Sequence, residues 1–356
     1  MKNASEKRRS VTLADVARQA NVSKATAARV LGGYGVVSES AHDDVMKAAQ
    51  ALDYRPNELA RSMTTGRSGL IGVVVGDIEN PFFSFAVRGI SDAARAAGFN
   101  VILANSGEEI EAEKAAVRVL IGKRVDGLIV TSADCRDISH LRDVHLSGRP
   151  LALLDRALPD LDVDAVTVDD RDAAMRATRL LVDAGHRRIA YVTAAEDAEI
   201  RGADGLPVIS TSTVRDRIEG FLAACREADI AQPERSVLFG AKKTATRAIV
   251  AGALAASDRP TAILASDSII ALETFKAIRE ARLQIPDDIS LITFHDADWT
   301  SVTSPPITAV DQPVYSLGKS VADLLIRRLK GDIAAVERIV IAASLIERGS
   351  VGPPPH

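Results

Sequence analysis

From Leu70 onward, short and predominantly apolar runs alternate with longer amphipathic stretches, and no other feature limits the fold as tightly. The runs are LIGVVV (70–75), NVILA (100–104), GLIV (127–130), LALL (151–154), RIAYVT (188–193), AILA (262–265) and ISLITF (289–294). A strand with one wet face alternates apolar and polar residues; a strand apolar throughout is covered on both faces. Such strands separated by helices build a doubly wound α/β architecture with parallel sheets. The 280 or so residues that carry the pattern exceed one comfortable core, so two lobes are expected. Ligands of open sheets of this kind sit beyond the carboxyl ends of the strands. Residues 196–213 (EDAEIRGADGLPVISTST) are polar and contain glycine and proline, which predicts an extended loop.

The first seventy residues read differently. Thr12 followed by Asp15 fits a capping box, with Leu13, Val16, Ala17 and Ala20 on one helical face. Asn21-Val22 interrupts that helix, and Ser23 can cap a second one running to about Leu31, ended by Gly32, Gly33 and Gly35. Ser38 can cap a third, with Val45, Ala49 and Leu52 inward. Pro56 stops it, Asn57 could cap a short helix over 58–63, and TTGRSG (64–69) is linker-like.

Charge is distributed to match. Residues 1–67 carry 11 basic and 7 acidic side chains, whereas the whole chain carries 44 and 48, leaving −8 for the remainder. A basic head on an acidic body suits a polyanionic partner. The span 11–33, two helices with a tight turn, fits a helix-turn-helix whose second helix enters the major groove. Lys24 and Ala25 would lead, and Arg29 would share their face; Lys and Arg suit guanine O6 and N7. Thr12, Ser23 and Thr26 are short donors suited to phosphates. A three-helix domain with a solvated charged face is the competing reading.

At this point the motifs are recognisable. TLADVA, VSKATAARVLGG and DYRPNELARSMTTGRSGLIGVVV, followed by DIENPFF (77–83), VDGLIV, LLDR, VDDRDAA, GHRRIAYV, RIEGF, ASD and SPPITAVDQP (304–313), resemble the lactose-repressor (LacI) family of bacterial transcription regulators across nearly all of residues 11–348. The resemblance implies a helix-turn-helix head at 1–56 and a hinge helix and linker at 57–69. Residues 70–352 would then form a type I periplasmic-binding-protein-like core, with lobe 1 at about 70–167 and 311–340 and lobe 2 at about 168–310 and 341–352. It further implies a homodimer, tetramer left open, on a pseudo-palindromic double-stranded operator, most simply as a repressor. Carried over residue by residue, Tyr54 joins the DNA-binding set. Asn57, Ala60 and Arg61 would line the minor groove, and Met63 would take the place of a leucine wedge between base pairs. Ala28 and Gly32 depart from the family's usual serine and asparagine.

In the cleft the resemblance points to Phe82, Phe83, Asp155, Arg217, Phe239, Asp267 and His295 as holding a small sugar-like effector. An arginine, carboxylates and aromatic faces suit a polar ring. Core packing is the alternative for the two phenylalanines, and strand-end caps or ion pairs for the two aspartates. His295 stands where the family usually has aspartate. An imidazole beside Arg217 predicts an effector with an acidic group, the alternative being that His295 props the strand end while Asp296 takes over as acceptor.

Other classes fit poorly. GAKKT (240–244) lacks the spaced glycine of a Walker A loop, neither HExxH nor GxSxG occurs, and the six histidines show no metal-ligand spacing. No enzyme activity, cofactor or metal is expected. Cys135 and Cys225 are far apart, the N-terminal basic stretch precedes no apolar segment, and no run approaches a membrane span. A cytoplasmic location is the expectation, with a small-molecule-binding protein or an activator of the same architecture as alternatives.

Overall fold

A computed structural model describes residues 11–32, 34–54, 66–194, 206, 209–240 and 243–355. The chain divides into two units, residues 1–69 and 70–356.

The first unit holds three helices, α1 (Leu13–Gln19), α2 (Lys24–Gly32) and α3 (Glu39–Ala51). Thr12 Oγ1 accepts from Asp15 N–H while Thr12 N–H donates to Asp15 Oδ2 at 2.9 Å, so both members of the capping box engage. Asn21 takes φ 51° to turn the chain, a left-handed conformation asparagine tolerates better than most residues. Ser23 Oγ accepts from Thr26 N–H at 3.0 Å, and Ser38 Oγ from Ala41 N–H at 3.4 Å. Val16, Ala17, Ala27, Val30, Val45, Ala48 and Ala49 are buried together, and Tyr54 packs half-buried against them. Asn57, Ala60, Arg61 and Met63 lie outside the described residues.

The second unit contains two six-stranded sheets. The first has the order β11-β5-β4-β3-β1-β2 and is parallel throughout. Its strands are β1 (Leu70–Val75), β2 (Asn100–Asn105), β3 (Gly127–Val130), β4 (Leu151–Leu154), β5 (Asp164–Val168) and β11 (Arg338–Ile341). The second has the order β12-β10-β9-β8-β6-β7, parallel except for β12. It comprises β6 (Ile189–Ala194), β7 (Val237–Gly240), β8 (Ala262–Ala265), β9 (Ser290–Phe294), β10 (Thr308–Asp311) and β12 (Ser344–Ile346). The chain passes between sheets after β5, after β10 and between β11 and β12, which makes two lobes with three connections. Strand order reverses at β1 and at β6, where a crevice opens at the carboxyl ends.

Helices α4 (Pro81–Ala96), α5 (Ile110–Gly122), α6 (Ser139–Leu146) and α12 (Val314–Leu329) cover the first sheet. Helices α7 (Asp170–Asp183), α8 (Ser212–Glu227), α9 (Lys243–Ala255), α10 (Ser268–Glu280) and the short α11 (Asp298–Val302) belong to the second lobe. Each lobe has one closely packed helix pair made possible by glycine. A Cβ on Gly318 of α12 would stand 2.0 Å from Ala86 O of α4, and one on Gly220 of α8 would stand 2.0 Å from Arg171 O of α7. The loop expected over 196–213 needs one correction: Ser212 and Thr213 already belong to α8, whose first turn they form. Residues 196–205 and 207–208 lie outside the described residues.

Candidate functional site: a helix-turn-helix face and an interlobe cleft

On the head, Lys24, Ala25 and Arg29 are exposed and Thr26 is half-buried, while Ala27 and Val30 turn inward. The hydroxyls sought as phosphate donors are partly committed. Thr12 Oγ1 donates to Asp15 Oδ2 at 2.7 Å, and the Ser23 and Thr26 hydroxyls bond each other at 2.8 Å, so that pair retains one free hydrogen.

In the core, Arg217 projects from α8 and is buried. Its Nε donates to Asp170 Oδ1 at 2.6 Å and its Nη1 to Ser266 O at 2.6 Å, and its guanidinium carbon lies 4.3 Å from the centroid of the Phe294 ring. Burial pushes the Asp170 carboxyl up to about 7, outweighing the opposing pull of Arg217. Asp155 follows β4 from the other lobe at φ 69° and is 5% exposed. Its Oδ1 has no partner in the protein, and burial raises its pKa despite attraction from Arg156 and Arg217.

His295 follows β9 at φ 65°, is 6% exposed, and has a partner at neither ring nitrogen. Burial lowers its pKa, with Asp296 and Asp267 pulling the other way, so the neutral imidazole is favoured. Its ring meets two side chains of the opposite lobe: Phe82, edge-on with centroids 6.3 Å apart, and Phe85, tilted at 6.2 Å. A backbone bond from Cys135 N–H to Ser210 O at 2.9 Å also joins the lobes.

Several expected residues have first duties elsewhere. Phe82 and Phe83 belong to the main core cluster, with rings perpendicular at 5.2 Å, and only Phe82 also faces His295. Asp267 caps α10, its Oδ1 accepting from Ile269 and Ile270 N–H and its Oδ2 from Ser266 Oγ. Phe239 is half-buried on the edge strand β7. Asp296 is already engaged: Arg348 grips both its oxygens at 2.6 Å, and Thr300 Oγ1 donates to Oδ1. The sequence reading missed Asp170, hidden in a helix's first turn, and Phe85. It also missed Tyr191 and Gln312, whose buried hydroxyl and Nε2 have no partner in the protein. Asp170, Tyr191 and Gln312 do lie within the family motifs VDDRDAA, GHRRIAYV and SPPITAVDQP, which was the available signal.

The charges around Arg217 are unequal. Asp155, Asp170 and Asp267 all act on this guanidinium or on groups beside it, and the neighbouring Arg156 is matched by Glu108 at 2.6 and 3.0 Å. The carboxyls of Asp155 and Asp170 face the same guanidinium, and burial raises the pKa of both. Neutral hydroxyls can donate to Asp155, accept from Arg217 and Gln312, and do both with neutral His295. Among the described residues, no cluster of His, Cys, Asp or Glu could hold a metal, and no helix is long and apolar enough to cross a membrane.

A model of the lacI family of bacterial regulatory proteins matches residues 12–57, and one of a periplasmic binding protein-like domain matches residues 178–351. The HTH-type transcriptional regulator PtxS of Pseudomonas putida is 32% identical over 352 residues, covering 97% of each chain. A ribose operon repressor of Halalkalibacterium halodurans is 32% identical over 95% of this chain and 96% of its own length. Among solved structures, the Lac repressor dimer bound to operator and the anti-inducer ONPF matches with a TM-score of 0.82 and 26% identity, covering 97% of this chain and 100% of that one.

Proposed function

The chain belongs to the lacI family of bacterial regulatory proteins, and on that premise we propose that it represses transcription as a homodimer on a pseudo-palindromic operator, with an affinity set by a small, neutral, sugar-like ligand in the interlobe cleft. It is a regulator and not an enzyme. In the head, Lys24, Ala25 and Arg29 read base edges, and Thr12, Ser23, Thr26 and Tyr54 fix register on phosphates. Asn57, Ala60, Arg61 and Met63 take the minor groove, Met63 as the wedge. In the core, Phe82, Asp155, Arg217, Phe239 and His295 hold the ligand, joined by Tyr191 and Gln312, while Phe83 and Asp267 support the walls.

The observation that carries the ligand assignment is a set of buried polar atoms without protein partners: Asp155 Oδ1, Tyr191 Oη, both His295 nitrogens and Gln312 Nε2. A buried polar group left unpaired costs about 1–3 kcal/mol, so a cleft that keeps several of them favours a molecule able to pair them. Because these atoms come from both lobes, their ligand biases the lobes' relative orientation. The resulting coupling to the head is reciprocal and typically about 1–3 kcal/mol.

A thermal-shift panel tests the ligand class by comparing neutral pentoses and hexoses with their acid derivatives. A neutral sugar should raise the melting temperature of the wild type and leave Asp155→Asn unmoved. Stabilisation by acids alone would overturn the assignment.

A further inference from the structure

Helix α2 ends at Gly32, and near that end two side chains, those of Tyr34 and Arg29, lie where Gly32 and Gly35 leave room. A Cβ on Gly32 would stand 2.3 Å from Cε1 and 2.6 Å from Cδ1 of Tyr34, so the phenol ring rests on the Gly32 α-carbon. Tyr34 N–H donates back to Arg29 O at 3.1 Å, across the end of the helix. Gly35 is left-handed at φ 76°, and a Cβ there would stand 3.4 Å from Cδ and 3.7 Å from Cγ of Arg29. The stem of the exposed Arg29 therefore crosses bare backbone. A long arginine free in solvent samples many rotamers, and a bed beneath its methylenes removes part of that entropy before binding.

We propose that the Tyr34 ring on Gly32, together with the Gly35 backbone, is a specificity-determining element. The Tyr34 ring seated on Gly32 holds the Gly35 backbone under Arg29 and so sets the direction in which the guanidinium leaves the helix. Tyr34 is on this account a positioning residue. The proposal rests on the reading of Arg29 as a base reader.

The test uses the full chain and the best duplex it recovers from a random DNA pool, with every base substituted in turn. Tyr34→Ala, and Gly32→Ala, which displaces the ring, should each lower the preference at the Arg29 base pair about fivefold to tenfold. Binding to unrelated duplex, its salt dependence and the melting temperature should not move. Tyr34→Phe should keep the wild-type preference. If Tyr34→Phe is as damaging as Tyr34→Ala, the hydroxyl rather than the seated ring matters, and the proposal fails. If Arg29→Ala loses the preference while Tyr34→Ala and Gly32→Ala keep it, the seated ring plays no part although the base-reader assignment stands. If Arg29→Ala itself changes nothing, that assignment falls and takes the proposal with it.

Discussion

Replacing Arg217 with methionine should destabilise the core by about 3 kcal/mol at pH 6 and about 5 kcal/mol at pH 8.5. Methionine keeps an apolar stem against Phe294 but donates nothing, so Asp170 and the Ser266 carbonyl lose bonds of 2.6 Å each. Removing one member of a buried ion pair costs about 3–5 kcal/mol, and the lower end applies where the remaining group can shed its charge. Asp170 can do so, because burial already holds it at about 7. Its pKa is raised above the unfolded value of about 3.9, so stability is greatest below that value and falls as pH rises through the folded pKa. In the wild type this decline ends near pH 7. Without Arg217 the carboxyl is pushed higher still, and the variant continues to lose about 1.4 kcal/mol per pH unit where the wild type has levelled off. From pH 7 to 8.5 that adds about 2 kcal/mol. Urea unfolding followed by far-ultraviolet circular dichroism at both pH values measures the difference. Equal penalties at the two pH values, or penalties under about 1 kcal/mol at both, would refute the account of this pair.

Three further outcomes are expected. His295→Phe should raise core stability by about 1–3 kcal/mol, because two unpartnered buried nitrogens give way to carbon, and should abolish the thermal shift by the sugar; lost stability with an intact ligand response would assign His295 to packing. Gly318→Ala should cost about 1–3 kcal/mol by forcing α12 off Ala86, whereas Gly252→Ala, with open space around it, should be neutral or stabilising, both read as urea midpoints. His186 is bonded to Thr261, Ser290 and the Gly352 carbonyl, and burial lowers its pKa. Its contribution is therefore complete above about pH 6.5 and lost as pH falls through the lowered value, so His186→Asn should flatten the acid side of the stability profile.

The seven apolar runs became strands because burial on both faces writes itself into composition. β5 (DAVTV) and β10 (TAVD) escaped notice because each is short and bears a charge at one end; Asp164, which opens β5, is legible only with Arg328, which donates to both its oxygens from 164 residues away. The exposed edge β11 alternates and is held by pairing to β5. In the cleft, Arg217 could be singled out by family precedent, but its burial and its pairing with Asp170 across 47 residues follow from how α7 and α8 pack. Asp267 was legible as both ligand and cap, and its backbone donors show the cap engaged. His295 was visible as a departure, but its burial and its contacts with Phe82 and Phe85 of the other lobe follow only from the fold.

One measurement tests the central claim most directly: retention of the full chain on its own selected duplex, titrated with the sugar that raises its melting temperature. The account expects enriched sequences with two-fold symmetry and an operator affinity that the saturating sugar changes by about 5-fold to 150-fold. Asp155→Asn should bind the duplex normally and ignore the sugar. Recovery of no common sequence, or of a symmetric site whose occupancy is indifferent to the ligand, would contradict it.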